Sequence, residues 1–219
     1  SNEDDTFDRV RIRKTIAALG LDVAKLSDTA IRMARAAEAL AVRAADVAGQ
    51  FVLEDCWAGH PTGDLLLDRD GFSAVERDTQ LRLLAAALQW VTSADYRPRA
   101  VALEALLDRA LAGGGGTLHG AQLIVTPTKI RIAREFEAVR ALSVTVSDLT
   151  EWDVRWRISS TNHRGLTLRA LGLDGWQQLP ERLEGYAPHD AAIARPALFD
   201  GDRLVAFETI TKAPESAVS

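Results

Sequence analysis

Arginine is the residue type with the most chemical reach in this chain. All but four of its 26 basic side chains are Arg, the exceptions being Lys14, Lys25, Lys129 and Lys212. A guanidinium is a planar fork that takes phosphate two-pronged and stacks on bases, whereas an ammonium acts as a point charge. A GC-rich coding sequence also favours Arg, so placement matters more than number. Arg155 and Arg157 alternate along the stretch 152–159, and Arg169 lies in the stretch 166–171. If those two strands pair antiparallel, the three guanidinium groups share one exposed sheet face, with Arg164 in the polar loop between them. Arg97-Pro98-Arg99 stands at a helix start, and Lys129, Arg131 and Arg134 lie on a hairpin strand. Such a surface can grip an RNA backbone through charge-assisted hydrogen bonds. The competing reading is a solvated sheet face that Asp153 partly neutralises.

Other chemistry is poorly supplied. The run Gly113–Gly116 lacks the Lys-Ser/Thr of a P-loop and precedes a strand, so it reads as a helix stop. His60, His119, His163 and His189 show no i,i+4 pair and no cysteine partner, so metal-ligand spacing is absent. There is no Gly-x-Ser-x-Gly elbow, and Cys56 has no base near it in sequence. Asp68 and Asp70 before Gly71 resemble a fragment of a metal loop, and an ordinary surface loop explains them equally well. The residues assemble no active site; the chain reads as a binding module.

The elements that would carry these groups change character half-way along the chain. Residues 7–19 and 27–51 read as helices, the second capped by Ser27 and lined by Ala30, Ala34, Ala37, Ala41, Ala44 and Ala48. Residues 55–71 read as irregular, with a short hairpin near Thr62-Gly63-Asp64. A capping box, Ser73 to Glu76, opens a helix with Leu81, Leu84, Leu88 and Val91 inward. Pro98 then starts another, with Val101, Leu103, Leu106, Leu107 and Leu111. Beyond the glycines, alternation replaces the helical period. Residues 118–125 and 129–134 flank Thr126-Pro127-Thr128 as a hairpin with Ile130 and Ile132 on one face. Residues 136–142 form a charged connector. The stretch 152–159 reads as a strand with Trp152, Val154, Trp156 and Ile158 inward. A short helix fits within 180–192, and strands at 197–199 and 203–207 surround the tight turn Asp200-Gly201. The expected fold is α+β: a helical domain (1–115), a β-hairpin and connector (116–142), and a small mixed α/β domain (143–219).

Composition bounds the rest. The chain has 219 residues, 47% of them hydrophobic and 26% charged, with a net charge of −5. That is a globular balance, and the acidic total gives no support to non-specific nucleic-acid binding. Against it, residues 129–169 hold eight Lys/Arg and five Asp/Glu, a local basic excess. One cysteine excludes an internal disulfide framework, and no apolar run suggests a membrane span, so a reducing, cytoplasmic setting is expected.

The ordered set of local patterns resembles a family. The start, with Asn2, Asp4 and Phe7 ahead of Arg9-Val10-Arg11-Ile12-Arg13, is similar to the signature that follows the catalytic domain of tRNA(Ile)-lysidine synthetases, with Val10 where Asn is usual. Tyr96-Arg-Pro-Arg99, Thr117-Leu-His-Gly120, Arg131-Ile-Ala-Arg-Glu135, Leu168-Arg-Ala-Leu-Gly172 and the stretch 196–205 also look like this family. The resemblance implies an enzyme that adenylates the wobble cytidine of a CAU-anticodon isoleucine tRNA with ATP, then attaches lysine. It places that chemistry, with ATP and Mg2+, in an N-terminal domain carrying Ser-Gly-Gly-x-Asp-Ser. That motif is absent here, so no catalytic residue and no cofactor is expected in this chain. Asn2, Arg9 and Arg13 would lie at the edge of that active site. Arg97, Arg99, Lys129, Arg131, Arg134, Arg155, Arg157, Arg164 and Arg169 would contact tRNA. Two alternatives stay open: a helical protein-interaction or regulatory module packing through residues 27–51, and either a monomer or a homodimer.

Overall fold

The computed structural model describes residues 22–57, 60–158, 163–179 and 187–207, together with 12, 15, 16 and 18–20. Asn2, Arg9, Arg13 and most of the expected first helix lie outside the described residues. The chain separates into two compact units, Ser1–Ala45 and Asp46–Ser219.

The first unit is dominated by helix α1 (Val23–Phe51), which runs on into the second. Its N-cap is Asp22, whose carboxylate accepts from the amides of Ala24 and Lys25, so the helix begins earlier than Ser27. From Val23 to Arg43 every residue is exposed, including Leu26, Met33 and Leu40.

In the second unit, β1 (Val52–Trp57) and β2 (His60–Asp68) form an antiparallel ladder through the stretch expected to be irregular. The polar residues that suggested a loop are turned inward and satisfied there: Thr62 donates to the Asp55 carboxylate at 2.8 Å, and Asp64 is buried. β2 is an inner strand, so Leu65 and Leu67 are buried as well. Short helix α2 (Arg69–Ser73) is capped by the Asp68 carboxylate, which accepts from the Gly71 amide at 2.7 Å. This accounts for Asp68 as a helix cap.

Ser73 closes α2, so the expected capping box does not form. Helix α3 (Arg77–Thr92) starts at Glu76 in extended backbone without a side-chain cap bond. It buries Leu83, Leu84, Leu88 and Val91 and packs on β2 and β5 (Lys129–Arg134). Helix α4 (Ala100–Leu111) buries Leu103, Leu106 and Leu107 and leaves Val101 outside. β3 (Gly116–Leu118), β4 (Ala121–Val125) and β5 complete a five-stranded antiparallel sheet in the order β1-β2-β5-β4-β3. The expected 118–134 hairpin is β4 and β5, with Ile130 and Ile132 buried on one face.

The 136–142 segment forms one helical turn, α5 (Phe136–Val139), with Val139 fully buried. β6 (Ser143–Thr145) follows. The expected long strand over 152–159 is instead a tight hairpin of β7 (Thr150–Trp152) and β8 (Trp156–Ile158). Asp153 and Val154 turn the chain with φ of 50° and 54°, the Arg155 amide donates to the Trp152 carbonyl, and Arg155 completes a three-residue connection between the paired Trp152 and Trp156. β9 (Thr167–Ala170) does not pair with β8; it lies between β6 and β10 (Pro196–Asp200), with β11 (Arg203–Phe207) at the edge. Helices α6 (Gly172–Gln178) and α7 (His189–Ala192) complete the α+β arrangement. Both faces of β10 are filled: Leu198 packs with Trp152, Trp156 and Leu168, while Ala197 and Phe199 pack with Leu171 and Ala192.

Candidate nucleic-acid interface

The hairpin turn decides the fate of the arginine face. Turning at 153–154 throws Val154 out, 79% exposed, and brings Asp153 and Arg155 in. Arg155 is 4% exposed; its Nη2 donates to the Gly63 carbonyl at 2.5 Å, and its guanidinium lies 5.3 Å from the Trp90 ring centroid. Burial pushes its pKa down to about 10, with the Asp153 and Asp64 charges opposing the shift, so it stays protonated at neutral pH. This corrects the expectation of an outward Arg155: cross-strand pairing of Trp152 with Trp156 leaves it facing the protein.

Arg131 and Arg134 are also turned inward. Arg134 takes Asp153 with both prongs, Nε and Nη2 each 2.9 Å from a carboxylate oxygen, and donates through Nη1 to the Gly120 carbonyl at 2.6 Å. Arg131 Nη1 lies 2.6 Å from Asp55 and 2.8 Å from Asp64. The second cation on Asp64 is Arg195, at 2.7 Å and 4% exposed. Nothing in the local sequence Ala194-Arg195-Pro196 signals that role; it arises because β10 begins beside β2. Buried charges need such pairing, because desolvation would otherwise outweigh their presence. Arg134, Arg155 and Arg195 tie the residues after 150 to the five-stranded sheet, while Arg131 joins three of its strands to one another.

Arg157, Arg164 and Arg169 lie nearer the surface, each beside a carboxylate. Arg157 meets Glu151 at 2.5 Å, Arg164 meets Asp148, and Arg169 meets Asp174 while lying 3.5 Å over the Phe199 ring centroid. The hydrogen bond from Arg169 holds the Asp174 carboxyl below the usual carboxylate range. Arg169 does not join Arg155 and Arg157 on one face, because β9 belongs to a different sheet. Exposed pairs of this kind contribute roughly 0–1 kcal/mol, so a phosphate can displace the carboxylate at small cost.

Three expected contacts remain fully available. Arg97, Arg99 and Lys129 are exposed, and none makes an ion pair among the described residues. Buried Pro98 fixes the backbone between the two arginines, and Arg97 borders an open cleft of about 250 Å³ with Asp78, Arg82 and Glu104. Tyr96, which the sequence marked only as the first residue of Tyr96-Arg-Pro-Arg99 and without a role, is 73% exposed beside them.

The glycine run does not fit a nucleotide phosphate. A Cβ on Gly115 would meet the Leu123 carbonyl at 2.5 Å, and one on Gly114 the Arg109 side chain at 2.9 Å. The glycines are therefore filled by the protein's own packing. Among the described residues no three His, Cys, Asp or Glu groups converge as a metal site, and no helix is long and apolar enough to cross a membrane.

Comparison with known proteins gives the family. A tRNA(Ile)-lysidine synthase of Ruegeria pomeroyi is 33% identical over 209 residues, covering 94% of this chain and 48% of the relative. The chain belongs to the tRNA(Ile)-lysidine synthase family. The tRNA(Ile)-lysidine synthase of Wolbachia pipientis wMel is 27% identical over 163 residues, 72% of this chain and 37% of that protein. A third, from a Wolbachia of Brugia malayi, is 24% identical over 142 residues, 63% of this chain and 33% of that protein. The chain thus spans about half the length or less of these lysidine synthases. No family model and no solved structure matches it.

Proposed function

We propose that this region of a tRNA(Ile)-lysidine synthase holds the tRNA while the ligation takes place on the remainder of the longer protein. The reaction is then ATP-dependent adenylation of the wobble cytidine of a CAU-anticodon isoleucine tRNA, followed by attachment of lysine. Asn2, Arg9 and Arg13 would border that active site. The observation that carries the reading is that Arg97, Arg99 and Lys129 are exposed and make no ion pair among the described residues. Arg157 and Arg164 form a second tier whose surface pairs exchange readily for phosphate. Folded RNA is recognised largely by shape and backbone, which suits dispersed guanidinium groups on a rigid sheet-and-helix frame. A filter-binding titration of CAU-anticodon isoleucine tRNA tests this. Retention that weakens when Arg97 and Arg99 are replaced supports the reading; no retention of any tRNA opposes it.

A protein-interaction role for the first unit is favoured by one observation, the exposed Leu26, Met33 and Leu40 along α1. Concentration-dependent mass without RNA retention would favour that second reading.

A further inference from the structure

We propose that Tyr96 is a stacking platform for an unpaired nucleotide base, with Arg97 and Arg99 holding the adjoining phosphates. The proposal rests on the tRNA-holding reading and deepens it by naming a base contact. Tyr96 lies in the connection between α3 and α4, a segment held at both ends. On one side α3 closes at Ser93 in the left-handed region, φ 52°, and the Gln89 carbonyl and side-chain amide both bond Ala94. On the other, Pro98 is buried. Between these anchors the Tyr96 ring stands out, 73% exposed. A large aromatic side chain so exposed gains little from folding.

It is nevertheless supported from behind. The His119 ring meets it edge-to-face, centroids 5.4 Å apart and planes at 80°. His119 occupies the first position of the two-residue turn between β3 and β4, with φ 60° there and 76° at Gly120. Turns of that kind favour Asn or Gly at the first position. The Nε2 of His119 is in addition buried, with no hydrogen-bond partner among the described residues. The left-handed backbone at this position is one that His tolerates, and its ring in this place orients the Tyr96 ring. Arg134 holds the same turn through the Gly120 carbonyl and is itself locked to Asp153. Unfavourable local features of this sort persist where the surroundings over-determine them, and they concentrate at functional sites.

An exposed aromatic beside two exposed guanidinium groups that make no ion pair among the described residues is the pairing that binds single-stranded nucleotides: the ring takes a base face and the cations take the backbone. A protein partner would use the ring without needing the two arginines.

The test uses the full chain with two RNA hexamers, hexa-adenylate and an abasic ribose-phosphate hexamer of equal charge, alongside the tRNA. The native chain is expected to bind hexa-adenylate about tenfold more tightly than the abasic hexamer. Tyr96→Ala should remove that difference, Tyr96→Phe should keep it, and Arg97→Ala with Arg99→Ala should weaken both hexamers alike. Circular dichroism checks that each variant is folded. If Tyr96→Ala is folded and retains full preference for hexa-adenylate, the stacking role is wrong while the tRNA reading stands, and a protein contact becomes the account of the exposed ring. If neither hexamer nor tRNA is bound by the native chain, both readings fail together.

Discussion

Arg134 and Asp153 form a two-pronged ion pair, both nitrogen–oxygen distances 2.9 Å, with the Asp153 side chain only 3% exposed. The pair joins an interior strand of the five-stranded sheet to the β7–β8 turn. Removing one partner leaves a buried charge without compensation, at a cost of about 3–5 kcal/mol. Arg134→Ala and Asp153→Asn should each lower the urea midpoint strongly. The double variant should lose much less than the two losses added, since it strands no charge. Simple additivity would show that the pair does not act as a unit.

Arg155 and Arg157 are two residues apart and chemically identical, yet they should behave differently. Arg155→Ala removes a buried side chain that fills space beside Trp90 and Trp156 and donates to Gly63, and should cost roughly 2–3 kcal/mol of stability. Arg157→Ala loses only the surface pair with Glu151 and should change stability by less than about 0.5 kcal/mol. Equal effects in denaturant titrations would contradict the inward placement of Arg155.

That contrast shows where sequence reading stops. The helices at 77–92 and 100–111, the 121–134 hairpin and the strands around Asp200-Gly201 were legible because their apolar spacing matched one period and their turns carried the right residues. The stretch 152–158 also alternates, and Trp156, Arg157 and Ile158 keep the facing that alternation expects, but the turn between β7 and β8 sends Val154 out and brings Asp153 and Arg155 in, and a β-branched valine does not announce a positive φ. Residues 55–68 looked irregular because Asp55, Thr62 and Asp64 are polar. Their partners, Arg131 and Arg195, are distant in sequence, and only tertiary pairing makes those residues interior. The cations at Arg97 and Arg99 were legible; the neighbouring Tyr96–His119 contact was not, since it depends on two loops meeting.

The Asp64 carboxylate lies between Arg131 and Arg195. Asp64→Asn leaves two guanidinium groups sharing the remaining Asp55. It should unfold the second unit at lower urea by several kcal/mol, on the order of the loss from breaking any buried pair. Preserved stability, read by tryptophan fluorescence, would remove this cluster from its role in holding the residues after 150 to the sheet.

Acid should expose the Arg169–Asp174 pair. The folded Asp174 pKa is depressed, so its contribution is fully present above the unfolded value of about 4 and is lost as pH falls through the lower folded value. Asp174→Asn should therefore be less stable than the native chain at neutral pH, with the difference shrinking below about pH 4. A gap that widens in acid would reverse the assigned sign.

The most direct test of the tRNA-holding claim is the salt dependence of tRNA binding by the chain carrying Arg97→Ala and Arg99→Ala. Each lost phosphate contact lowers the steepness of log affinity against log salt by about 0.7–0.9. The account predicts weaker binding and a slope flatter by about 1.4–1.8 for the double variant. A folded variant with unchanged affinity and unchanged slope would contradict it.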